Sequence, residues 1–177
     1  YVPAPFTIYK NIFKLEQGHY LLSKNGLLKK EKWYELSYQP KYNHTNENEY
    51  LEKLDHLIKD SVQLRTITDV PLGAFLSGGI DSSIITYYLQ KFHNNLNTFS
   101  IGFEDSSFDE SKYSKIVSLH IETNHHEEII SDDRMLEILP SIWETMDEPF
   151  ADPSLLPTYL LSSFTKQFVT VSLSGDG

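Results

Sequence analysis

Ser77-Gly78-Gly79-Ile80-Asp81-Ser82-Ser83 constrains this chain more than any other stretch. An apolar run, Leu72-Gly73-Ala74-Phe75-Leu76, precedes it, and an apolar-periodic run from Ile84 to Phe92 follows. The pattern predicts a buried strand, a glycine-rich turn and a helix start, placed end to end. Such a junction aims backbone N–H groups at whatever sits above the turn, and the helix N-terminus adds partial positive charge. The ligand this favours is an anion, and a phosphate chain fits best. The loop lacks the lysine of G-x-x-x-x-G-K-[ST], and it is not G-x-G-x-x-G either.

The flanking pattern alternates strand and helix. A helix is expected over about 47–66, where Leu51, Leu54, Leu57, Ile58 and Val62 recur at spacings of three and four. Pro71 ends it and opens the strand 72–76. The expected order then runs helix 82–92, strand 98–103, helix 107–121, strand 126–130, helix 132–146 with a kink or break at Pro140, helix 154–166 and strand 168–173. Ser107 and Glu110 have capping-box spacing. Strands separated by helices of this length predict an α/β fold with a parallel, doubly wound sheet. The near-continuous apolar character of 72–76 suits a strand covered on both faces.

Residues 1–42 differ. They are rich in Pro, Tyr and Lys and lack a helical period. Short strands are expected at Ile8-Tyr9, at His19–Leu22 and at Lys32–Leu36, with turns at Gly18 and Asn25-Gly26. Residues 40–48 read as a linker. The chain opens on Tyr1 and stops at Gly177 inside a second glycine turn, so it is expected to be a fragment of a larger two-domain protein.

Composition narrows the function. The formal charge is −10, from 25 acids against 15 bases, which opposes a nucleic-acid surface. There is no cysteine, hence no disulfide framework, thiolate metal site or thiol nucleophile in these residues. No apolar run approaches the roughly 18 residues of a bilayer span, and no signal peptide is visible. No membrane partner is expected, and the expected compartment is the cytoplasm. Asn43-His44-Thr45 fits a glycosylation sequon and is read as chance.

Two predicted strands end alike, in Leu76-Ser77-Gly78-Gly79 and in Leu173-Ser174-Gly175-Asp176-Gly177. In open α/β sheets ligands bind at the carboxyl ends of strands, so both turns could converge over one pocket carrying Asp81 and Asp176. Asp81 could hold Mg²⁺, which takes oxygen ligands and bridges to substrate phosphates. The plainer alternative makes Ser77 and Asp81 helix caps. Asp105, Asp109 and Glu110 read as capping and dipole-compensating groups rather than pocket residues. Ile101 ends a neighbouring strand, where it is either core or a rest for an adenine ring. His125 and His126 are adjacent on a strand, point to opposite faces and are not read as a metal pair. Asp147–Pro153 is an acidic, proline-broken loop.

The S-G-G-x-D-S loop matches the signature of the PP-loop ATP pyrophosphatases, an adenine nucleotide α-hydrolase-like fold. More specifically, Val70–Ser83 resembles the synthetase domain of glutamine-hydrolysing asparagine synthetases of the AsnB class. So do Phe99–Phe103 with Phe108-Asp109-Glu110, Asp147–Ser154 with Pro157-Thr158-Tyr159, and Val171–Gly177, which is similar to the start of S-G-[DE]-G-x-D-E. Tyr1–Pro5 and Ile12–Leu22 resemble the end of that family's glutaminase domain. The resemblance implies a division into 1–42, the tail of a glutaminase-type domain and linker, and 43–177, the N-terminal part of an ATP-binding synthetase domain.

The function it implies is that of a C–N-forming ligase with glutamine as amide donor. Aspartate is activated as β-aspartyl-AMP with pyrophosphate release, and ammonia then displaces AMP to give asparagine. ATP and Mg²⁺ are the implied cofactors. Leu76, Ser77, Gly78, Gly79, Asp81, Ser82, Ser83, Ile101, Ser174 and Gly175 would bind the nucleotide, Asp81 the metal, and Asp81 and Asp176 would be catalytic. The implied partners are small molecules (aspartate, ammonia or glutamine, ATP), with a homodimer as an open assembly. Several bacterial family members carry Thr and Arg where this chain has Phe150–Pro153, and those residues help hold aspartate. Amide transfer to another carboxylate therefore stands as an alternative, beside a tRNA-modifying adenylase and a non-catalytic nucleotide-binding or scaffold protein.

Overall fold

The computed structural model describes residues 1–38, 46–105, 107 and 109–176. The sequon at 43–45, most of the 40–48 linker and Phe108 lie outside the described residues. The chain divides into two units, one of Tyr1–Thr45 with Glu144–Asp152, the other of Asn46–Trp143 with Pro153–Gly177.

The first unit carries an antiparallel hairpin of β1 (His19–Lys24) and β2 (Leu27–Lys32), with Lys24 opposite Leu27 and His19 opposite Lys32. Asn25 and Gly26 both have positive φ, 51° and 77°, as a two-residue turn matching the strand twist requires. Gly18, at φ 68°, has no alternative: a Cβ there would lie 2.2 Å from the Tyr34 carbonyl oxygen. Its own carbonyl accepts from the Trp33 and Tyr34 amides. That capture ends the second strand at Lys32, so the strand expected over Lys32–Leu36 is displaced to 27–32. Nor do Ile8-Tyr9 form a strand. The Thr7 hydroxyl accepts from the Tyr9 amide at 3.0 Å and donates toward the Ile12 carbonyl at 2.7 Å, closing a turn. Lys14 pairs with Glu148 at 2.5 Å. None of the described residues 1–38 is buried.

The second unit is built on a four-stranded, wholly parallel sheet. Its strands are β3 (Leu72–Phe75), β4 (Asn97–Phe103), β5 (Asn124–Ile130) and β6 (Val171–Leu173), in the order β5-β4-β3-β6. From β3 the chain steps outward through β4 to β5, then returns to place β6 on the far side of β3. The order reverses between β3 and β6, which makes the carboxyl ends of those two strands the crevice where such sheets take ligands.

Helices cover both faces, as a doubly wound sheet requires. On one face lie α1 (Glu47–Leu64), α2 (Ile80–Phe92) and α3 (Ser111–Ile121). Asn46 caps α1, its Oδ1 accepting from the Asn48 amide. Val62 of α1 and Tyr88 and Leu89 of α2 bury against Leu72, Ala74 and Leu96, with Ile58, Ile85, Phe92 and Leu173 packed around them. Alternate residues of β3 turn the other way. Gly73 leaves room for the Phe99 ring and Val169, and a Cβ on it would meet Phe99 Cε2 at 2.7 Å. There α5 (Leu155–Thr165) and the segment after it bring Phe164 and Phe168 onto Phe99, with centroids 6.1 and 5.5 Å away. The Tyr88 hydroxyl donates to Asp55, and that bond, with burial, pushes its pKa up to about 12.

Several boundaries differ from the sequence reading, among them those of α3 and β6, and β5 starts earlier, at Asn124. α3 begins at Ser111 and the Ser107–Glu110 capping box does not form. Aspartates take over instead: Asp105 accepts from the Ser107 amide and hydroxyl, and Asp109 from those of Ser111. These bonds hold both carboxyls below the usual aspartate range. β6 starts three residues late, because the Phe168 and Val169 amides still bond back to Thr165 at the end of α5. Pro140 lies inside α4 (Asp132–Thr145), which runs through it without breaking.

Candidate functional site

The site grows from two glycine turns at the β3–β6 reversal. The first leaves β3 at Leu76, whose amide still bonds the Phe99 carbonyl of β4 at 2.8 Å. Gly78 then turns at φ 83°. A Cβ on it would sit 2.5 Å from the Tyr113 carbonyl carbon and 2.6 Å from the Ser114 nitrogen, so the turn lies directly against the backbone of α3. Gly79 is the N-cap of α2 and has no side chain with which to cap it. Within the loop, Ser77 Oγ lies 2.9 Å from Ser82 Oγ and accepts from the Gly79 amide. The hydroxyls thus tie the loop to itself, while the first-turn amides of α2 lack intrahelical acceptors by position.

The second turn leaves β6 at Ser174. Gly175 rests on the first: a Cβ there would lie 2.5 Å from the Ser82 nitrogen and 2.8 Å from the Asp81 carbonyl carbon. Between the turns opens a cavity of about 370 Å³, lined by residues of β3, β4, α2, α5 and both loops. Leu76, Ser77, Gly79, Asp81, Ser82, Ile101, Ser174, Gly175 and Asp176, all singled out from sequence, line it. Two others do not. Gly78 is turned toward α3 instead, and Ser83 donates its hydroxyl to the Gly79 carbonyl at 2.6 Å and lies on a different cavity. The sequence reading missed Phe75, Phe99, Ser100, Thr158 and Leu161. Phe75 and Phe99 are register partners, which only the strand pairing reveals. Thr158 and Leu161 stand three apart on α5, the one hint their spacing offers.

A larger cavity, about 790 Å³, opens between α1, α2 and α3. Size favours it, chemistry does not. Its walls are Leu51, Leu54, Ile84, Tyr87, Ile116 and similar side chains, with Glu52 and Asp55 among the polar ones. Among the described residues, no glycine turn borders it. The smaller cavity is the one bordered by both glycine turns and the start of α2.

Nucleotide and metal fit what the cavity presents. Gly175, lacking a Cβ, lets the second turn pack against the Asp81–Ser82 backbone. Asp81 and Asp176 both line the cavity, and two carboxylates is the number Mg²⁺ uses when substrate phosphates supply further ligands. Among the described residues no cluster of three or more His, Asp or Glu could hold a metal without such help.

The two adjacent histidines part to opposite faces, as strand geometry demands. His126 stacks on Phe99, centroids 5.2 Å apart, and touches Phe168. His125 points at α3, with Thr98 Oγ1 3.0 Å from Nδ1 and Ser100 Oγ 3.1 Å from Nε2. Burial, then the positive charges of His126 and Lys115, lower the His125 pKa to about 4. The unfolded ring titrates near 6.5, so the unfolded chain binds the extra proton first and stability falls as pH drops from about 6.5 to about 4. The full linkage, about 3 kcal/mol, shrinks to about 1–2 kcal/mol because the ring is only half-buried. Urea unfolding at pH 7.0 and 5.0 reads this loss, and His125→Gln is expected to flatten it. An unchanged slope in that variant would contradict the assignment.

Known proteins resemble this chain in sequence. The asparagine synthase family model matches residues 53–177. A Methanocaldococcus jannaschii protein, provisionally named glutamine-hydrolyzing asparagine synthetase 2, is 41% identical over 182 residues, covering 100% of this chain and 35% of its own length. Asparagine synthetase [glutamine-hydrolyzing] 1 of Bacillus subtilis is 34% identical over 100% of this chain and 28% of its own. Asparagine synthetase B of Escherichia coli is 29% identical over 95% of this chain and 33% of its own. The chain therefore spans about a third of the length of these relatives. Among solved structures, the NH3-dependent NAD synthetase of Campylobacter jejuni superposes with a TM-score of 0.48 at 14% identity, over 71% of this chain and 56% of its own. With the family model covering residues 53–177, this chain belongs to the asparagine synthase family.

Proposed function

We propose that this chain forms the nucleotide-binding part of an ATP-dependent, glutamine-hydrolysing amide ligase that makes asparagine from aspartate. The observation that carries the reading is the packing of Gly175 onto the Asp81–Ser82 backbone, which joins two small-residue turns over one cavity with Asp81 and Asp176 on its wall. The first-turn amides of α2, with Ser77 and Ser82, would hold the β- and γ-phosphates. Leu76 and Ile101 would flank the adenine. Asp81 would hold Mg²⁺, which neutralises charge on the departing pyrophosphate. Residues 1–42 would be the end of a glutaminase-type domain, with the glutamine-cleaving nucleophile elsewhere in the longer protein.

The chemistry follows in two displacements. A side-chain carboxylate oxygen of aspartate attacks the α-phosphorus, and the bond to the bridging α–β oxygen breaks, releasing pyrophosphate. The nitrogen lone pair of ammonia then attacks the acyl carbon of β-aspartyl-AMP. The carbon–oxygen bond to phosphate breaks, AMP leaves, and the nitrogen sheds a proton. The chain's part would be orientation plus electrostatic stabilisation of the leaving phosphates, with Asp176 lining the cavity where the acyl-adenylate would form.

The test takes the whole protein that contains this chain, with Mg²⁺-ATP, ammonia and either aspartate, glutamate or no acceptor. Aspartate-dependent AMP with equimolar asparagine is the expected result. AMP with another acceptor would move the substrate and keep the chemistry, whereas ADP would sink the reading. Asp81→Asn is expected to lower turnover by roughly 10²-fold, with partial recovery at high Mg²⁺. Unchanged turnover and unchanged Mg²⁺ dependence would remove Asp81 from the metal site.

A further inference from the structure

His125 sits behind the first glycine turn, on the side of β4 away from Phe99. Its Nδ1 meets Thr98 Oγ1 at 3.0 Å, and Thr98 Oγ1 in turn lies 2.8 Å from Thr123 Oγ1. On the other side Nε2 meets Ser100 Oγ at 3.1 Å, with Ser114 Oγ 3.2 Å beyond it. Ser114 Oγ is also 2.7 Å from the Ser111 carbonyl. The Ser114 hydroxyl thus has two acceptors for its one proton, Ser100 Oγ and the Ser111 carbonyl. The imidazole nitrogens link this Ser100–Ser114 pair on one side to Thr98 and Thr123 on the other. Neutral imidazole, with one donor and one acceptor, closes the row. Thr98, Ser100 and Ser114 are all buried, so each bond is expensive to leave unmade.

Both ends of the Ser100–Ser114 pair touch the site. Ser100 lines the cavity, and the Ser114 nitrogen lies 2.6 Å from where a Gly78 Cβ would be. The groups facing the ring are thus hydroxyls from β4, α3 and the residue before β5. The charges acting on it, Lys115 and His126, both disfavour imidazolium.

We propose that His125 is a positioning residue for the Ser77–Ser83 loop: bonded through Ser100 and Ser114, it fixes the wall of α3 against which Gly78 turns. The consequence for nucleotide affinity rests on the function proposed above; the consequence for the loop does not.

Two readouts separate them. In the ligand-free whole protein that contains this chain, amide resonances of Gly78 and Gly79 are compared for wild type, His125→Phe and His125→Gln at pH 7.5. His125→Phe removes the row's centre and is expected to shift both glycines. His125→Gln keeps an amide that can hydrogen-bond toward Ser100 and is expected to leave them near wild type. Mg²⁺-ATP affinity should fall roughly tenfold in His125→Phe, the equivalent of one lost hydrogen bond, and recover in His125→Gln. Should His125→Phe fail to fold, Ser114→Ala cuts the row at α3 and is expected to shift the same amides. Glycine amides that stay put in His125→Phe, or in Ser114→Ala where that replaces it, would overturn the proposal. So would equal displacement in His125→Phe and His125→Gln. A wild-type chain that binds no Mg²⁺-ATP would instead count against the nucleotide reading, with the amide comparison still deciding the role of His125.

Discussion

Gly78→Ala is expected to destabilise the chain by about 2–5 kcal/mol. The added methyl must adopt φ 83°, which costs an L-residue about 1–2 kcal/mol. It must also displace the backbone of Tyr113 and Ser114, 2.5 and 2.6 Å away, and overpacking of that kind costs about 1–3 kcal/mol. Backbone in the first turn of α3 cannot swing aside as a side-chain tip would. The loss would register as a lower midpoint in urea unfolding with an unchanged slope. A midpoint within experimental error of wild type would mean that the turn and α3 are not in contact.

Gly175→Ala is expected to act on the site more than on the fold. Its methyl would press on the Ser82 nitrogen at 2.5 Å, in the first turn of α2, but Gly175 itself lies in the turn after β6 and is not held between strand and helix. The turns can separate there, by on the order of 1 Å, which in a positioned site costs roughly 10²-fold. Turnover of the whole protein is therefore expected to fall roughly 10²-fold while the unfolding midpoint moves by less than in Gly78→Ala. The pair forms an internal control, since one glycine supports the loop from behind and the other closes it from the front. Equal effects of both substitutions on stability and turnover would contradict this division.

Much of this was legible in the sequence because the relevant signals are local. The apolar run 72–76, the glycines and the periodic run 84–92 specify strand, turn and helix within a few residues of one another, and β3 and α2 form there. The likeness of Leu76–Gly79 to Leu173–Gly177 suggested two converging turns, and a parallel β3–β6 pair brings Gly175 onto α2. What was not legible depends on competition between distant or equivalent partners. Ser107 has capping-box spacing, but Asp105 and Asp109 offer better acceptors and win its amide and that of Ser111. Lys32–Leu36 has strand composition, yet the Gly18 carbonyl takes the Trp33 and Tyr34 amides. Ser83 belongs to the motif by sequence, but one step along the helix turns its hydroxyl back to Gly79 and its face toward α1 and α3. Phe99, Ser100 and Leu161 enter the cavity only through strand register and helix packing.

The central claim is that the cavity between the two glycine turns, and not the larger apolar one, takes ATP. The most direct measurement is a titration of the isotope-labelled 177-residue chain with Mg²⁺-ATP, read at backbone amides and repeated with inorganic pyrophosphate as competitor. The account predicts saturable shifts at Gly79, Asp81, Ser82 and Gly175 that pyrophosphate reverses. Shifts confined to Leu51, Tyr87 and Ile116, or none at any of these positions, would contradict it.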